Sequence, residues 1–384
     1  MRIASWNDPR LRAALVQLAV VAGVVALGAY LVHNTLVNMA RQGIATGFGY
    51  LDREASFEIG ETLIRYSPAD TYGRALVVGL LNTLLVAGLG VVLATALGTV
   101  VGIARLSRNW IARKLALAYV ETLRNLPLLL QLIVWWDLLR VSAPLPRQAW
   151  RPLPGVFVSV RGIVFPVPAY APVYRDMGVA VLAALLAGWA VVRWGRWHRA
   201  RTGRAVPSLA IAIALTLGAP LAVFALGGAP LRWDWPVLRA FNFAGGASLS
   251  PEFAALLFGL TAYTAAFIAE IVRSGIEGVS RGQTEAALAL GLRRGQTLRL
   301  IVLPQALRII VPPMLSEYLA LTKNSSLAIA IGYPEIMSIT NTTLNQTGQA
   351  VEAIALMMAI YLAISLAISA AMNWYNRRIA FVER

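Results

Sequence analysis

Glu285, Ala286, Ala287 and Gly291 open a polar, arginine-bearing stretch, TEAALALGLRRGQTLRLIVLPQ (284–305), inside a chain that is otherwise strongly apolar. Such residues can make a contact surface; they do not supply a nucleophile and a base. Ser280 and Gln283 have capping-box spacing, Glu285 falls in a first turn where the helix dipole favours an acid, and Gly291 can supply a left-handed stop. This predicts a short helix over 280–290, a glycine turn, and a second helix from about Gln296 that Pro304 interrupts at a membrane surface. The unit is too small for a domain and too short to span a bilayer. The residues alone leave two readings open: an amphipathic loop lying among lipid headgroups, or an element that docks on a partner.

A second set of candidates lies within apolar segments. Glu317, Lys323 and Asn324 fall in one predicted span, where a charge costs roughly 2.5–3.5 kcal/mol on insertion scales and is a functional candidate by default. Acidic and cationic or dipolar groups in one span could hold a ligand carrying both charges, and a helix broken at Pro312-Pro313 would offer free backbone groups to a carboxylate. In the competing reading Glu317 and Lys323 neutralise other groups across the bundle. Glu121 with Arg124 and Glu270 with Arg273 are three apart, a spacing at which ion pairs form. Pro127 predicts a kink, with Gln131 placed to satisfy a freed backbone group.

Other chemistry is excluded. A P-loop needs lysine after glycine in G-x-x-x-x-G-K-[ST], yet Lys114 follows Arg113 and Lys323 follows Thr322, and there is no further lysine. The chain therefore has no nucleotide-hydrolysing loop of its own. Cysteine is absent, which removes disulfides and thiol chemistry. His33 and His198 are read as solvated loop residues, and neither a zinc spacing nor a triad is present. No catalytic residue, no metal site and no bound cofactor is expected.

The elements that position these residues follow from hydropathy. With 58% hydrophobic and 14% charged residues, the chain reads as an all-α, polytopic membrane protein. Stretches of about 20 apolar residues predict eight spans, near 12–32, 76–104, 115–139, 177–193, 208–228, 252–272, 306–331 and 352–374. The first run is too long for a signal peptide's apolar region and lacks a small-x-small cleavage site, so it reads as an uncleaved anchor. Basic residues set the orientation: Arg2, Arg10 and Arg12, the groups at 105–114, 193–204 and 273–299, and Arg377, Arg378 and Arg384 outnumber those in the alternate loops. This places both termini and residues 273–305 in the cytoplasm. The net charge of +16 is thereby topological, and nucleic acid is not expected as a partner. The loop 140–175 is basic against this trend and proline-rich, which predicts irregular structure or short extended pieces. Tryptophans near span ends read as an aromatic belt.

Glu285-Ala286-Ala287, Gly291 and Ile301-Val302-Leu303-Pro304 match, position by position, the EAA motif of ABC importer permeases. YVETLRNLPLLLQL (119–132), GLLNTLLVAGLGVVLATALGTVVGIARLS (79–107), AYTAAFIAEIVRSGIEGVSRGQTEAALALGL (262–292) and LALTKNSSLAIAIGYPEI (319–336) are similar to polar-amino-acid permeases. ASFEIGETLIRYSPADTYGRAL (55–76) and NFAGGASLSPEF (242–253) resemble the larger subunit of general L-amino-acid permeases.

The resemblance implies a five-helix type I ABC importer core within residues 76–384, preceded by an anchor helix and external segment (1–75) and interrupted by a two-helix insertion at about 140–250. It implies that Glu285, Ala286, Ala287, Gly291, Ile301, Leu303 and Pro304 form the coupling loop that docks on an ATPase dimer, where Mg-ATP is bound. It further implies a paralogous second permease subunit or a second copy, an external solute-binding protein, L-amino-acid cargo and a bacterial inner-membrane location among lipid. The alternative is an autonomous proton- or sodium-coupled carrier with Glu317 as coupling carboxylate. Such a carrier has no need of a docking loop, and often contains an inverted repeat that is not evident here.

Overall fold

A computed structural model describes residues 9–43, 46–204 and 206–379; Arg2 and Arg384 lie outside them. Apolar runs form helices because a bilayer leaves backbone polar groups no other partner. In order these are α1 (Pro9–Arg41), α2 (Tyr72–Arg105), α3 (Trp110–Asn125), α4 (Leu128–Arg140), α5 (Pro172–Thr202), α6 (Ser208–Leu226), α7 (Pro251–Glu277), α8 (Arg281–Ala289), α9 (Arg294–Thr297), α10 (Leu303–Asn324), α11 (Ile336–Thr347) and α12 (Ala350–Ile379). Among the described residues, seven helices or helix runs are long and apolar enough to cross a membrane, or eight if the bent pair α3–α4 is one crossing.

The predicted span 115–139 is not one rod. It breaks after Asn125 and turns through 106°. Pro127 withholds an N–H and disfavours helix at Leu126, which is extended. The Gln131 amide donates to the carbonyls of Leu123 (2.9 Å) and Leu126 (3.0 Å), acceptors left over by the bend. His33 and His198 also depart from expectation: both lie within helices, α1 and α5, and His198 stacks on Trp194.

The chain divides into two units, residues 1–135 with 255–384, and residues 136–254. In the first, α2 approaches α7 through Gly98 and Gly102. A Cβ at Gly98 would stand 2.7 Å from Ile268 Cβ, and one at Gly102 2.7 Å from the Ala269 carbonyl oxygen. This small-xxx-small spacing lets two backbones touch where lipid supplies no hydrophobic drive for association. Around it pack Ala94, Ala265, Ile268, Val272, Ile310 and Leu321. A second cluster joins Tyr50, Ala55, Tyr72 and Val78 to Ile336 and Ile339, so the segment before α2 is packed on α2 and α11. Most of α1 is exposed, as a peripheral lipid-facing helix would be.

The second unit holds the α5–α6 hairpin and eight short strands. The strands are β1 (Trp150–Leu153), β2 (Val156–Ser159), β3 (Gly162–Phe165), β4 (Val167–Pro168), β5 (Trp233–Asp234), β6 (Val237–Arg239), β7 (Asn242–Ala244) and β8 (Ala247–Leu249). All pairings are antiparallel: β1-β2-β3-β8 form one sheet, β4 pairs with β5, and β6 with β7. The extended pieces expected in 140–175 are therefore real. β3 pairs with β8 and β4 with β5, across the intervening hairpin. The loops before α5 and after α6 must then share one side of the membrane, which requires an even number of crossings between them. Two spans, α5 and α6, supply it.

Candidate functional site: a solvent-facing helix–turn–helix and a charged helix end

α8 ends as Gly291 predicts. Gly291 has φ +80°; its N–H donates to the Leu288 carbonyl (2.9 Å) and that of Leu292 to the Ala287 carbonyl (3.1 Å). These two bonds are a Schellman cap. The expected capping box at Ser280 is not formed, because the Ser280 side chain makes no capping bond. A reciprocal bond occurs one helix later, where the Arg293 N–H donates to Gln296 Oε1 (2.9 Å).

Pro304 does not interrupt the second helix. Residues 298–302 form a π-helical turn that runs straight into α10, with Pro304 in its first turn. Proline is tolerated there because the preceding π-helical turn, with the Leu303 N–H on the Leu298 carbonyl, has already left the i→i−4 ladder that a proline breaks. Ile301 is half-buried and Leu303 exposed. Ala287 and Thr297 are buried, pinning the unit from within. Glu285, Ala286, Leu288 and Leu290 are exposed, Leu290 at 83%. Alanine, leucine and one carboxylate thus form an exposed, mainly apolar face on a capped turn.

The end of α7 that leads into this loop carries a charge network. Glu270 accepts from Arg273 (2.5 Å) and from Arg105 of α2, and Arg273 also reaches Glu277. The expected Glu270–Arg273 pair thus belongs to a larger set that ties α2 to α7. By contrast, Glu121 and Arg124 form no ion pair; Arg124 lies over the Phe267 ring, 5.1 Å from its centroid.

Glu317, Lys323 and Asn324 all lie on α10, which stays helical through Pro312-Pro313. The expected break is absent. The helix instead tightens into a 3-10 segment at Ser325–Ile331 and stops at Gly332, φ +77°. Glu317 is half-buried, Asn324 partly buried and Lys323 exposed. Six helical positions separate Glu317 from Lys323, about 120° apart around the axis, so they do not face one point. Glu317 is within electrostatic reach of Arg124, and Tyr318 bonds Thr95 of α2 at 2.9 Å.

Glu335 was not singled out by the sequence. Fully buried, it caps α11 by accepting from the Ser338 N–H (2.9 Å) and accepts the Tyr361 hydroxyl (2.8 Å). Burial pushes its carboxyl above the usual range, against the lowering effect of these hydrogen bonds. Nearby, Asn82 donates to the carbonyls of Glu61 and Pro334, both at 2.9 Å. Glutamate is not among the usual N-cap residues, so the sequence carried little signal of this cap.

Seven or eight membrane-crossing helices with a capped, exposed helix–turn–helix between α7 and α10 define a polytopic membrane protein. Residues 177–381 match the family of binding-protein-dependent transport system inner membrane components. The chain is 49% identical over 381 residues (99% of this chain, 97% of the relative) to a putative amino-acid ABC transporter permease protein, YhdX, of Escherichia coli. It is 46% identical over 377 residues (98% and 94%) to the general L-amino acid transport system permease protein AapQ of Rhizobium johnstonii. It is 42% identical over 418 aligned positions (98% and 96%) to the glutamate/glutamine/aspartate/asparagine transport system permease protein BztB of Rhodobacter capsulatus. A solved amino acid ABC transporter with histidines aligns over 80% of this chain and 95% of its own, with TM-score 0.48 and 19% identity. The chain belongs to this family, and within it to the amino-acid ABC transporter permeases. It is a multi-pass inner-membrane transport subunit.

Proposed function

We propose that this chain forms part of the passage through which an ATP-driven importer moves L-amino acids of broad range, and that it carries no ATPase site of its own. The observation behind this is the α8–Gly291–α9 turn, whose buried Ala287 and exposed Glu285, Ala286 and Leu290 suit docking on a separate ATPase dimer. Mg-ATP would be bound and hydrolysed there. The Arg105–Glu270–Arg273 network lies where movement of the turn would reach α2 and α7.

The same reading places both termini and the turn in the cytoplasm, and the strands of 150–168 and 233–249 outside, where a solute-binding protein delivers cargo. A second permease subunit, paralogous to this one or a second copy, completes the passage. Glu317 and Asn324 are partly buried polar groups of α10 that could line the passage; Lys323, exposed on another face, suits a partner-subunit or lipid-boundary contact.

Uptake of labelled acidic, basic, polar and aliphatic L-amino acids, with a sugar as control, tests the reading in cells lacking the gene and complemented with wild type or Gly291→Arg. Amino-acid uptake that survives a protonophore while ATP is maintained, and fails in Gly291→Arg, supports it. Uptake that collapses with the proton gradient and ignores Gly291 would replace it with a gradient-driven carrier, with Glu317 as the coupling carboxylate.

A further inference from the structure

The strand-bearing unit contains a polar cavity of about 460 Å³ lined by Arg140, Arg161, Asn242, Gly245, Gly246 and Ser248, with Val164, Phe243 and Pro251 completing it. Its floor is the β3–β8 pairing, Val164 opposite Ser248. Its wall is the Gly245-Gly246 link between β7 and β8, with φ +78° and +67°. Both glycines are enforced by space as well as conformation. A Cβ on Gly245 would meet Asp234 Oδ1 at 2.6 Å, and one on Gly246 the Phe165 carbonyl oxygen at 2.5 Å.

Two arginines line one cavity, and the neighbouring carboxylates, Glu252 and Asp234, stand outside its lining, an arrangement that favours an anion. Arg140 is partly compensated: its Nη1 donates to the Val160 carbonyl (3.3 Å) and its Nε lies 3.7 Å from Glu252 Oε1. That carboxylate also accepts from Trp136 Nε1 (3.3 Å). Arg161 has no ion-pair partner among the described residues and is exposed. Elsewhere in the unit Arg147 and Arg151 lie over Phe241 and Phe157, whereas Arg161 makes no such stack. A planar guanidinium fork favours a carboxylate, which it can hold through two parallel bonds.

Which carboxylate follows from what is missing. A free amino acid would bring its ammonium beside two arginines, and Glu252, the acid 3.7 Å from Arg140, is already engaged by Arg140 and Trp136. A carboxylate side chain on a protein surface brings no such cation. It also suits arginines that stand at the exposed mouth of the site: the Arg140 side chain is 51% exposed. Charge points the same way. Outside the α5–α6 hairpin, Arg140, Arg147, Arg151, Arg161, Arg232 and Arg239 outnumber Asp137, Asp234 and Glu252 in this unit. Such an excess attracts an acidic partner and speeds its encounter.

We infer that the Arg140–Arg161 cavity is a docking socket for an acidic side chain of the solute-binding protein that serves this transporter. This rests on the proposed function, because it requires a binding protein and an external strand-bearing unit.

The test uses the assembled transporter in lipid nanodiscs and the solute-binding protein of the same system. Docking is measured at low and high salt for wild type, Arg161→Glu and Arg161→Lys, with the melting temperature of each assembly as a folding control. The expected result is docking at least about 10-fold weaker for Arg161→Glu with unchanged melting, a smaller loss for Arg161→Lys, and a wild-type advantage that shrinks at high salt. Uptake by Arg161→Glu should recover when the binding protein is saturating.

Docking by Arg161→Glu equal to wild type would overturn the socket while leaving the importer reading intact. Wild type that neither docks nor transports would instead remove the importer reading. Acetate or glutarate tests the free-acid alternative: an Arg161-dependent rise in melting temperature at millimolar acid, with docking insensitive to Arg161, would overturn the protein-carboxylate assignment.

Discussion

The buried carboxylate of Glu335 accepts the Tyr361 hydroxyl at 2.8 Å while capping α11 through the Ser338 N–H. One side chain thus joins the start of α11 to α12. Because burial raises its folded-state pKa, the folded protein binds this proton more tightly than the unfolded chain does. The stability it contributes is fully present below the unfolded-state value and is lost as pH rises through the folded-state value. Glu335→Gln should flatten that part of the stability–pH profile. Glu335→Ala should cost about 1–3 kcal/mol by orphaning a buried hydroxyl and a helix N–H. Thermal unfolding of the detergent-solubilised protein from pH 4 to 9 reads both; identical profiles for Gln and wild type would show that Glu335 does not titrate in this range.

Gln131 closes the bend between α3 and α4 by donating to the carbonyls of Leu123 and Leu126. Gln131→Leu keeps much of the volume and removes both bonds. A loss of about 1–3 kcal/mol is expected, since the bond and the desolvation of the acceptors count together. Gln131→Glu should fare no better, because an ionised carboxylate cannot donate to them. Unfolding midpoints check this, and unchanged midpoints would mean the bend is held by packing.

At Gly291 an added Cβ meets nothing within 4 Å, so side-chain volume is not excluded. Only the left-handed backbone resists, at roughly 1–2 kcal/mol for an ordinary residue. Asparagine tolerates this region, and Gly291→Asn should retain most uptake. Gly291→Arg should insert and melt within about 1–2 kcal/mol of wild type yet lose transport, because its side chain would project from the proposed docking surface. Equal uptake by the two variants would remove the coupling role.

Glu270 holds Arg105 and Arg273 together. Glu270→Gln leaves two partly exposed guanidiniums facing each other, and about 1–2 kcal/mol of stability should go, less than for a fully buried pair because solvent screens the site. If the network also relays motion of the α8 turn, coupling between ATP hydrolysis and uptake should fall further than stability alone accounts for. A ratio of hydrolysis to transport equal to wild type would confine Glu270 to structure.

Glu317→Gln and Lys323→Ala separate two roles on one helix. If Glu317 lines the passage, its variant should change KM or kcat for uptake with little change in expression; the exposed Lys323 should matter less. The reverse order would place the passage on the other face of α10.

The sequence was informative where chemistry is local. Gly291 announced a left-handed stop, Pro127 a bend and Gln131 its remedy, because each depends on residues within one or two turns. It misled at Pro312-Pro313 and Pro304. There, proline predicts a break, yet Pro312-Pro313 sit within an uninterrupted helix and Pro304 follows a π-helical turn that has already left the i→i−4 ladder. It was silent on Glu335, whose importance comes from Tyr361 being folded against it. The Arg140–Arg161 cavity was equally hidden, since nothing in residues 161–165 tells that 247–249 will lie alongside. Within 115–139 Pro127 marked the bend but not its 106° size, because hydropathy measures composition and not direction.

The pairing of β3 with β8 also sets a schedule for biogenesis. Roughly eighty residues separate the partners, so at ~5–20 residues per second the first strands wait on the order of ten seconds for the last. During that interval β3 presents an unpaired edge, the condition that invites non-native association. The sheet cannot close while only one of α5 and α6 has crossed, so the folded strand unit is a record that the hairpin is not left half inserted.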